Sequence, residues 1–388
     1  MLKKLLSFGL LMIAALLLQA CNGTGTQTGE TGRRGKFERV VGKQGGKVVH
    51  RVSSQPKSFN YLMADDEPTV IATVYLIGSR LAAFNHEKQE IEPALAESWE
   101  IADDGVTVTV KLREGIKFSD GRPITAEDAA FTLKCLYDER TKSPVFGPAF
   151  LVNGKQITAN AVNERELRLT LPERVAAFTN FLDNLVVLPK HALEEALNSG
   201  KLAEAWKIDS DPASIVTSGP FMVERSVPGE RVVLKRNPHY WRKDAAGNPL
   251  PYLDQLVIEV VPDANNAFSR LNLGEIDIFD RIRSTDYAAL KNSDGPVQGF
   301  DLGPGLANDH FWFNLNPKNA AGEQLNDKPK YKWFADKRFR RAISHAVDRD
   351  SIATTTLQGL ATPVYGFVPA GNRKWLDPEL PAVPYDLR

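Results

Sequence analysis

Six histidines, two cysteines and one glycine–lysine cluster are the residues of this 388-residue chain that could carry covalent or metal chemistry. His50, His86, His191, His239, His310 and His345 stand far apart, and none forms the helical pair that metal ligation favours. Gly42-Lys43-Gln44-Gly45-Gly46-Lys47 brushes against a phosphate-loop pattern, but the spacing is wrong and Val48 stands where a hydroxyl is needed. No Gly-x-Ser-x-Gly elbow occurs. Acidic residues are abundant, yet their spacing pairs no acid with a base. The sequence thus offers no catalytic residue, no metal site and no cofactor. What remains is non-covalent chemistry, in which polar side chains, backbone groups and aromatic faces hold a ligand.

Three stretches are rich in such groups. Ser53-Ser54-Gln55-Pro56-Lys57-Ser58-Phe59-Asn60 is a polar loop with one aromatic, readable as a surface turn or as a binding loop on a rigid scaffold. Ser218 and Gly219 form a small-residue turn, which lets backbone approach a ligand closely. His310-Phe311-Trp312-Phe313-Asn314-Leu315-Asn316 reads as a strand with three consecutive aromatics. It suits a core strand and a ligand-facing wall equally, because aromatics bury well and also offer a flat face.

The elements that must position these stretches follow from periodicity. Residues 47–52 are a first strand. Val106, Val108, Val110 and Leu112 alternate with Thr107, Thr109, Lys111 and Arg113, the period of a half-buried strand. Asp103-Asp104-Gly105 and Ser119-Asp120-Gly121 are turns flanking it, and Thr125 caps a following helix with Glu127 and Asp128 in its first turn. Residues 68–84 read as a helix, 164–171 as an alternating strand, 176–185 as helical, and Leu188-Pro189-Lys190-His191 opens another helix. Val227-Pro228-Gly229-Glu230 turns a hairpin between 221–225 and 231–235. Residues 253–261, 264–273 and 275–279 read strand, helix, strand, with Asp263 as the cap and Gly274 at the helix exit, which argues for α/β architecture. A hinge is expected at 280–284 and a helix at 336–347, with Phe339, Ile343, Ala346 and Val347 on one stripe. The Lys337, Arg338, Arg340 and Arg341 cluster there reads as a solvated face.

The N-terminus is of another kind. Lys3 and Lys4 precede an apolar run at 5–18, too short for a comfortable membrane span, and Leu18-Gln19-Ala20-Cys21 resembles a bacterial lipobox. The expectation is a signal peptide at 1–20, lipid on the Cys21 thiol, and a Gly- and Thr-rich tether at 21–46. Export follows, with anchoring to a bacterial membrane facing the periplasm or cell exterior. Lys plus Arg equals Asp plus Glu at 48 each, so there is no basic excess of the kind nucleic-acid binding shows. Loss of residues 1–20 removes two lysines and no acid, so 46 bases against 48 acids leave −2. Cys135 is then the remaining free thiol, no intramolecular disulfide can form, and a large core must carry stability. On the apolar side of its helix, Cys135 reads as buried and inert.

Four ordered segments carry a resemblance. "PALAESWE…DDG…LREGIKFSDGRPITAEDAAFTL", "TSGPFMVE…PGERVVLKRNPHYW", "VPDANNAFSRLNLGEIDIF" and "FADKRFRRAISHAVDRDSI" together resemble the extracellular solute-binding proteins of the peptide and nickel family, the capture components of ABC importers. The resemblance implies an α/β, periplasmic-binding-protein-like fold of two lobes with mixed sheets. Lobe I would comprise 47–75 and 205–280, with an inserted subdomain at 76–204, and 281–388 would begin lobe II. It implies a monomer that captures an oligopeptide or dipeptide in a cleft and delivers it to permease subunits, unchanged. The loop after the first strand borders the cleft in that family, so Ser53, Ser54, Gln55, Phe59 and Asn60 are candidates, with Ser218, Gly219, Phe311, Trp312, Phe313 and Asn314. The family continues beyond the point that Val383-Pro384-Tyr385-Asp386-Leu387-Arg388 resembles. The resemblance therefore implies an incomplete second lobe and weak or absent binding. Its rivals are the same fold holding a nickel or metal chelate, a sugar or another small solute; a secreted hydrolase; and a chaperone-like lipoprotein.

Overall fold

The computed structural model describes residues 33–34, 41–86, 88–279, 282–291, 293–297, 299–301, 303–319 and 321–388. The expected signal peptide, Cys21, and Asp280 and Arg281 of the expected hinge lie outside them. The chain divides into two compact units, Glu38–Ile282 and Met1–Phe37 with Arg283–Arg388. It is an α/β fold, as the strand–helix–strand run implies.

The larger unit is built on two sheets. Five strands run in the order Phe221–Val227, Arg231–Arg236, Gln255–Val260, Lys47–Val52, Ile278–Phe279. The first three pair antiparallel, and Lys47–Val52 lies parallel to both of its neighbours. Alternation decides the faces: Val232, Leu234, Leu256 and Ile258 enter the main core, and Val233 and Val257 point to the other side of the sheet. The hairpin turns at Gly229, whose φ of +80° is a conformation that suits glycine. Asp263 caps the Ala264–Asn272 helix by accepting from the Asn266 N–H at 2.7 Å.

The second sheet is antiparallel, in the order Ala96–Ile101, Thr107–Leu112, Glu166–Thr170, Thr158–Ala161. Val108, Val110, Leu112 and Leu167 are fully buried on its inner face. The Ala126–Tyr137 helix packs there, opened by a capping box in which Asp128 accepts from the Thr125 N–H at 2.9 Å. The other Asp128 oxygen accepts from the Lys190 N–H at 2.9 Å, so one carboxylate starts this helix and fastens the Lys190–Asn198 helix. Cys135 is buried in this helix, and burial pushes its thiol pKa up. The apolar core runs without a break from Val52 to Ile258.

Three expectations are corrected. Residues 68–84 are not one helix: Glu67–Val70 passes into a π-type turn, Ile71–Leu76, and Ala82–Asn85 is a strand paired with Glu90–Pro93. The break comes at Gly78, where a Cβ would lie 2.2 Å from the Thr73 carbonyl oxygen. Residues 310–316 form no strand. A strand exists through its ladder, and among the described residues none pairs with this segment. The tether is not free along its whole length: Gly45 N–H donates to the Tyr252 carbonyl at 2.8 Å, and Asp254 N–H donates to the Gly46 carbonyl at 2.9 Å. Arg33–Arg34 pairs in parallel with Phe300–Asp301 of the smaller unit.

In the smaller unit the helices Pro329–Ala335 and Lys337–His345 follow one another, joined at Asp336, which caps the second. No helix among the described residues is long and apolar enough to cross a membrane.

Candidate ligand-binding site

In an open α/β sheet, ligands bind outside the carboxyl ends of parallel strands, where connections leave in opposite directions. Lys47–Val52 has parallel neighbours on both sides, and its carboxyl end opens into the Ser53–Asn60 loop. Arg51 ties this edge together. Its guanidinium donates to the carbonyls of Val261 (2.8 Å) and Pro262 (3.1 Å) and lies over the Phe279 ring, 4.8 Å from its centroid. Sequence reasoning missed Arg51; the signal was a charged residue between the apolar Val49 and Val52 near the carboxyl end of the first strand.

Within the loop the side chains divide. Ser53 and Ser54 are exposed. Gln55 is half-buried, and its carbonyl oxygen accepts from the Gly229 N–H, so it braces the hairpin turn. Lys57 pairs with Asp65 (2.8 Å) and Asp66 (3.1 Å), and its hydrogen bonds to Asp65 and then Asp66 hold its pKa above the usual lysine value. Phe59 and Asn60 are 2% and 0% exposed. Asn60 accepts from the Leu62 N–H (3.0 Å) and donates to the Leu202 carbonyl (2.8 Å), starting the Tyr61–Met63 turn from inside the core. The structure uses these two residues for packing, because the chain dives inward after Pro56.

Ser218 and Gly219 do bring backbone close, and what they meet is the chain itself. Gly219 N–H donates to the Ile77 carbonyl at 2.8 Å, and its own carbonyl accepts from Asn237 Nδ2 at 2.9 Å. Ser218 Oγ accepts from the Ser79 N–H at 2.9 Å, and Ser79 Oγ donates to the Ser218 carbonyl at 2.7 Å. The Oγ and the carbonyl oxygen of Ser218 are thereby occupied in a buried seam.

The remaining candidates belong to the smaller unit. Phe311 and Trp312 are 62% and 79% exposed, and Asn314 is exposed. Phe313 lies in a cluster with Phe334 (centroids 5.1 Å apart) and Phe339 (6.0 Å), and the Phe311 ring meets it edge-on at 5.9 Å. The aromatic run therefore splits by exposure, with Phe313 half-buried and Phe311 and Trp312 displayed.

No group of three or more His, Cys, Asp or Glu among the described residues could hold a metal ion. A close Asp–His pair, Asp120 Oδ2 to His191 Nε2 at 2.8 Å, joins a turn to the start of the Lys190–Asn198 helix.

Comparison with known proteins places the chain in a family. The "Probable ABC transporter-binding protein" of Deinococcus radiodurans is 29% identical over 333 residues, 82% of this chain and 54% of that protein. The oligopeptide-binding protein AppA of Bacillus subtilis is 27% identical over 381 residues, 97% of this chain and 62% of that one. The structure of AppA in complex with a nonapeptide superposes with a TM-score of 0.68 at 25% identity, covering 89% of this chain and 62% of that one. The chain thus spans little more than half the length of these relatives. The model of bacterial extracellular solute-binding proteins, family 5 (middle), matches residues 90–388. With most of its length inside that match, the chain belongs to the family 5 bacterial extracellular solute-binding proteins.

Proposed function

We propose that the chain belongs to the binding component of an ABC importer, one that takes up an extended peptide without altering it covalently and hands it to membrane permease subunits. The observation that carries this is the family match over residues 90–388, joined to the likeness to a relative seen holding a nonapeptide. A peptide is a ligand that backbone groups can hold without reading its side chains, which suits a site with small hydroxyl residues and aromatic faces. Of the candidates, Ser53 and Ser54 in the larger unit are exposed, as are Phe311, Trp312 and Asn314 in the smaller, and in this reading each set offers its groups to ligand from its own unit. No group in this set is a nucleophile with an activating base, so capture and release leave the ligand intact.

The protein works as a monomer outside the cytoplasm, held to a membrane by lipid on Cys21. The lipobox-like Leu18-Gln19-Ala20-Cys21 supports the anchor.

Trp312 supplies the test. Its indole is 79% exposed, so a peptide stacking on it changes its fluorescence. Titration with a mixed tetra- to nonapeptide pool should give a saturable change in emission, abolished in Trp312→Phe. A linear, non-saturating response, or a saturable one that is the same in Trp312→Phe, overturns the assignment of Trp312.

A further inference from the structure

The Lys328–Arg341 segment has a charge unlike the rest of the chain. It holds seven Lys or Arg and one acid, Asp336, in fourteen residues. The chain from residue 21 carries −2, so this segment's +6 stands against −8 over everything else. Such asymmetry marks a surface that meets an anionic partner.

Its geometry is that of a displayed patch. Lys328, Lys330, Lys332, Lys337, Arg338 and Arg341 are all exposed on two successive helices. Among the described residues Arg338 pairs with Asp336 at 2.8 Å, and the other five make no ion pair. Arg340 is spent on structure, donating to the carbonyls of Phe334 (2.7 Å) and Ala335 (2.9 Å) at the end of the first helix. Trp333 stands among the lysines, 56% exposed and stacked on Phe339. Exposed lysines around a half-exposed tryptophan are the composition of a surface that rests at a lipid headgroup layer.

A second, independent observation gives the same direction. Arg33–Arg34 adds a parallel pairing to Phe300–Asp301, in the unit that bears the basic patch. Cys21 lies twelve residues before that pairing. An extended chain of that length reaches about 40 Å at most. A lipid on Cys21 therefore holds this unit, rather than a freely swinging end, within about 40 Å of the bilayer, so that motion on the tether brings the basic patch repeatedly within the Debye length of about 8 Å over which anionic headgroups attract it.

We propose that Lys328, Lys330, Lys332, Lys337, Arg338 and Arg341, with Trp333, form a docking surface for anionic phospholipid headgroups. The second argument rests on the lipid-anchor reading, but the first does not. The assay below omits the anchor, so its outcome is separate from whether Cys21 is acylated or what ligand is carried.

The experiment is co-sedimentation of the chain from residue 21 onward, carrying Cys21→Ser, with phosphatidylcholine vesicles and with vesicles containing about a quarter phosphatidylglycerol. Two variants accompany it. One carries Lys328→Glu, Lys330→Glu, Lys332→Glu and Lys337→Glu. The other makes the same net change at four exposed lysines of the larger unit, Lys117→Glu, Lys155→Glu, Lys201→Glu and Lys235→Glu. The proposal expects binding to the anionic vesicles alone, loss of that binding at high salt, and a drop of about tenfold or more in the patch variant, with the control variant close to the parent. Equal binding to neutral vesicles, no binding to either kind, or an equal loss in both variants overturns it.

Discussion

Gly219 has no room for a methyl group. A Cβ there would lie 2.5 Å from the Ile77 carbonyl carbon and 2.7 Å from the Gly78 nitrogen and oxygen, all backbone atoms that cannot rotate away. The approach exists because Gly219 N–H and Ser218 N–H both donate to the Ile77 carbonyl, at 2.8 and 3.2 Å. Gly219→Ala must push two chain segments apart and stretch those bonds. Its expected cost is about 2–3 kcal/mol, at the upper end of ordinary overpacking. Urea unfolding measures it, and an unchanged midpoint would show that the seam is slack. From the sequence, a small-residue turn spoke for close approach but could not name the partner. Ile77 lies 142 positions away, and no local pattern reports so distant a contact.

At the scale of elements, the turn Asp244–Asn248 shows how one carboxylate can hold a loop. Asp244 accepts from Asn248 Nδ2 (2.9 Å), the Tyr252 hydroxyl (2.7 Å), and the backbone N–H groups of Asn248 (2.8 Å) and Ala246 (2.9 Å). Hydrogen bonds from Asn248, then Tyr252, lower its pKa from the usual 3.8 to about 2. A depressed carboxylate pKa stabilises the fold above the unfolded value near 3.8 and loses that contribution as pH falls through about 2. The Tyr252 ring also lies under Gly42, so the turn bears on the N-terminal segment. Asp244→Ala should therefore lower the melting temperature at pH 7 and at pH 5, with the gap to the parent closing between pH 4 and pH 2. A gap that stays constant down to pH 2 would mean that the charge of Asp244 has no part in it.

The same scale shows what a single sequence makes legible. The alternation of Val108, Val110 and Leu112 placed the Thr107–Leu112 strand, and Thr125 with Asp128 placed the start of the Ala126–Tyr137 helix, because both signals are local. The 221–235 hairpin and the Asp263 cap were readable for the same reason. Residues 68–84 misled because an apolar run with helical spacing cannot reveal the tight passage at Gly78, against the Thr73 carbonyl, where the chain leaves the helical turn for the Ala82–Asn85 strand. Residues 310–316 misled because strand propensity is fulfilled only by a partner strand. Of the candidate site, the exposed Ser53, Ser54, Phe311 and Trp312 were singled out on composition, as were Phe59 and Asn60, which the core takes up. Polarity and aromaticity name residues able to bind; only packing decides which of them face out.

For the molecule as a whole, membership of the family 5 bacterial extracellular solute-binding proteins is what supports the proposed capture without conversion. Two compact units share the work of the fold unequally. The continuous core lies in Glu38–Ile282, and the smaller unit displays more of its aromatic surface, Trp333, Phe367 and Trp375 included. Stability is thus expected to reside mainly in the larger unit.

The most direct test of capture without conversion is native mass spectrometry of the protein incubated with a defined peptide pool and then denatured on line. The account predicts complexes heavier than the protein by intact peptide masses, with every released peptide at its starting mass. Released fragments, covalently shifted peptides, or a protein peak that never carries a peptide would contradict it.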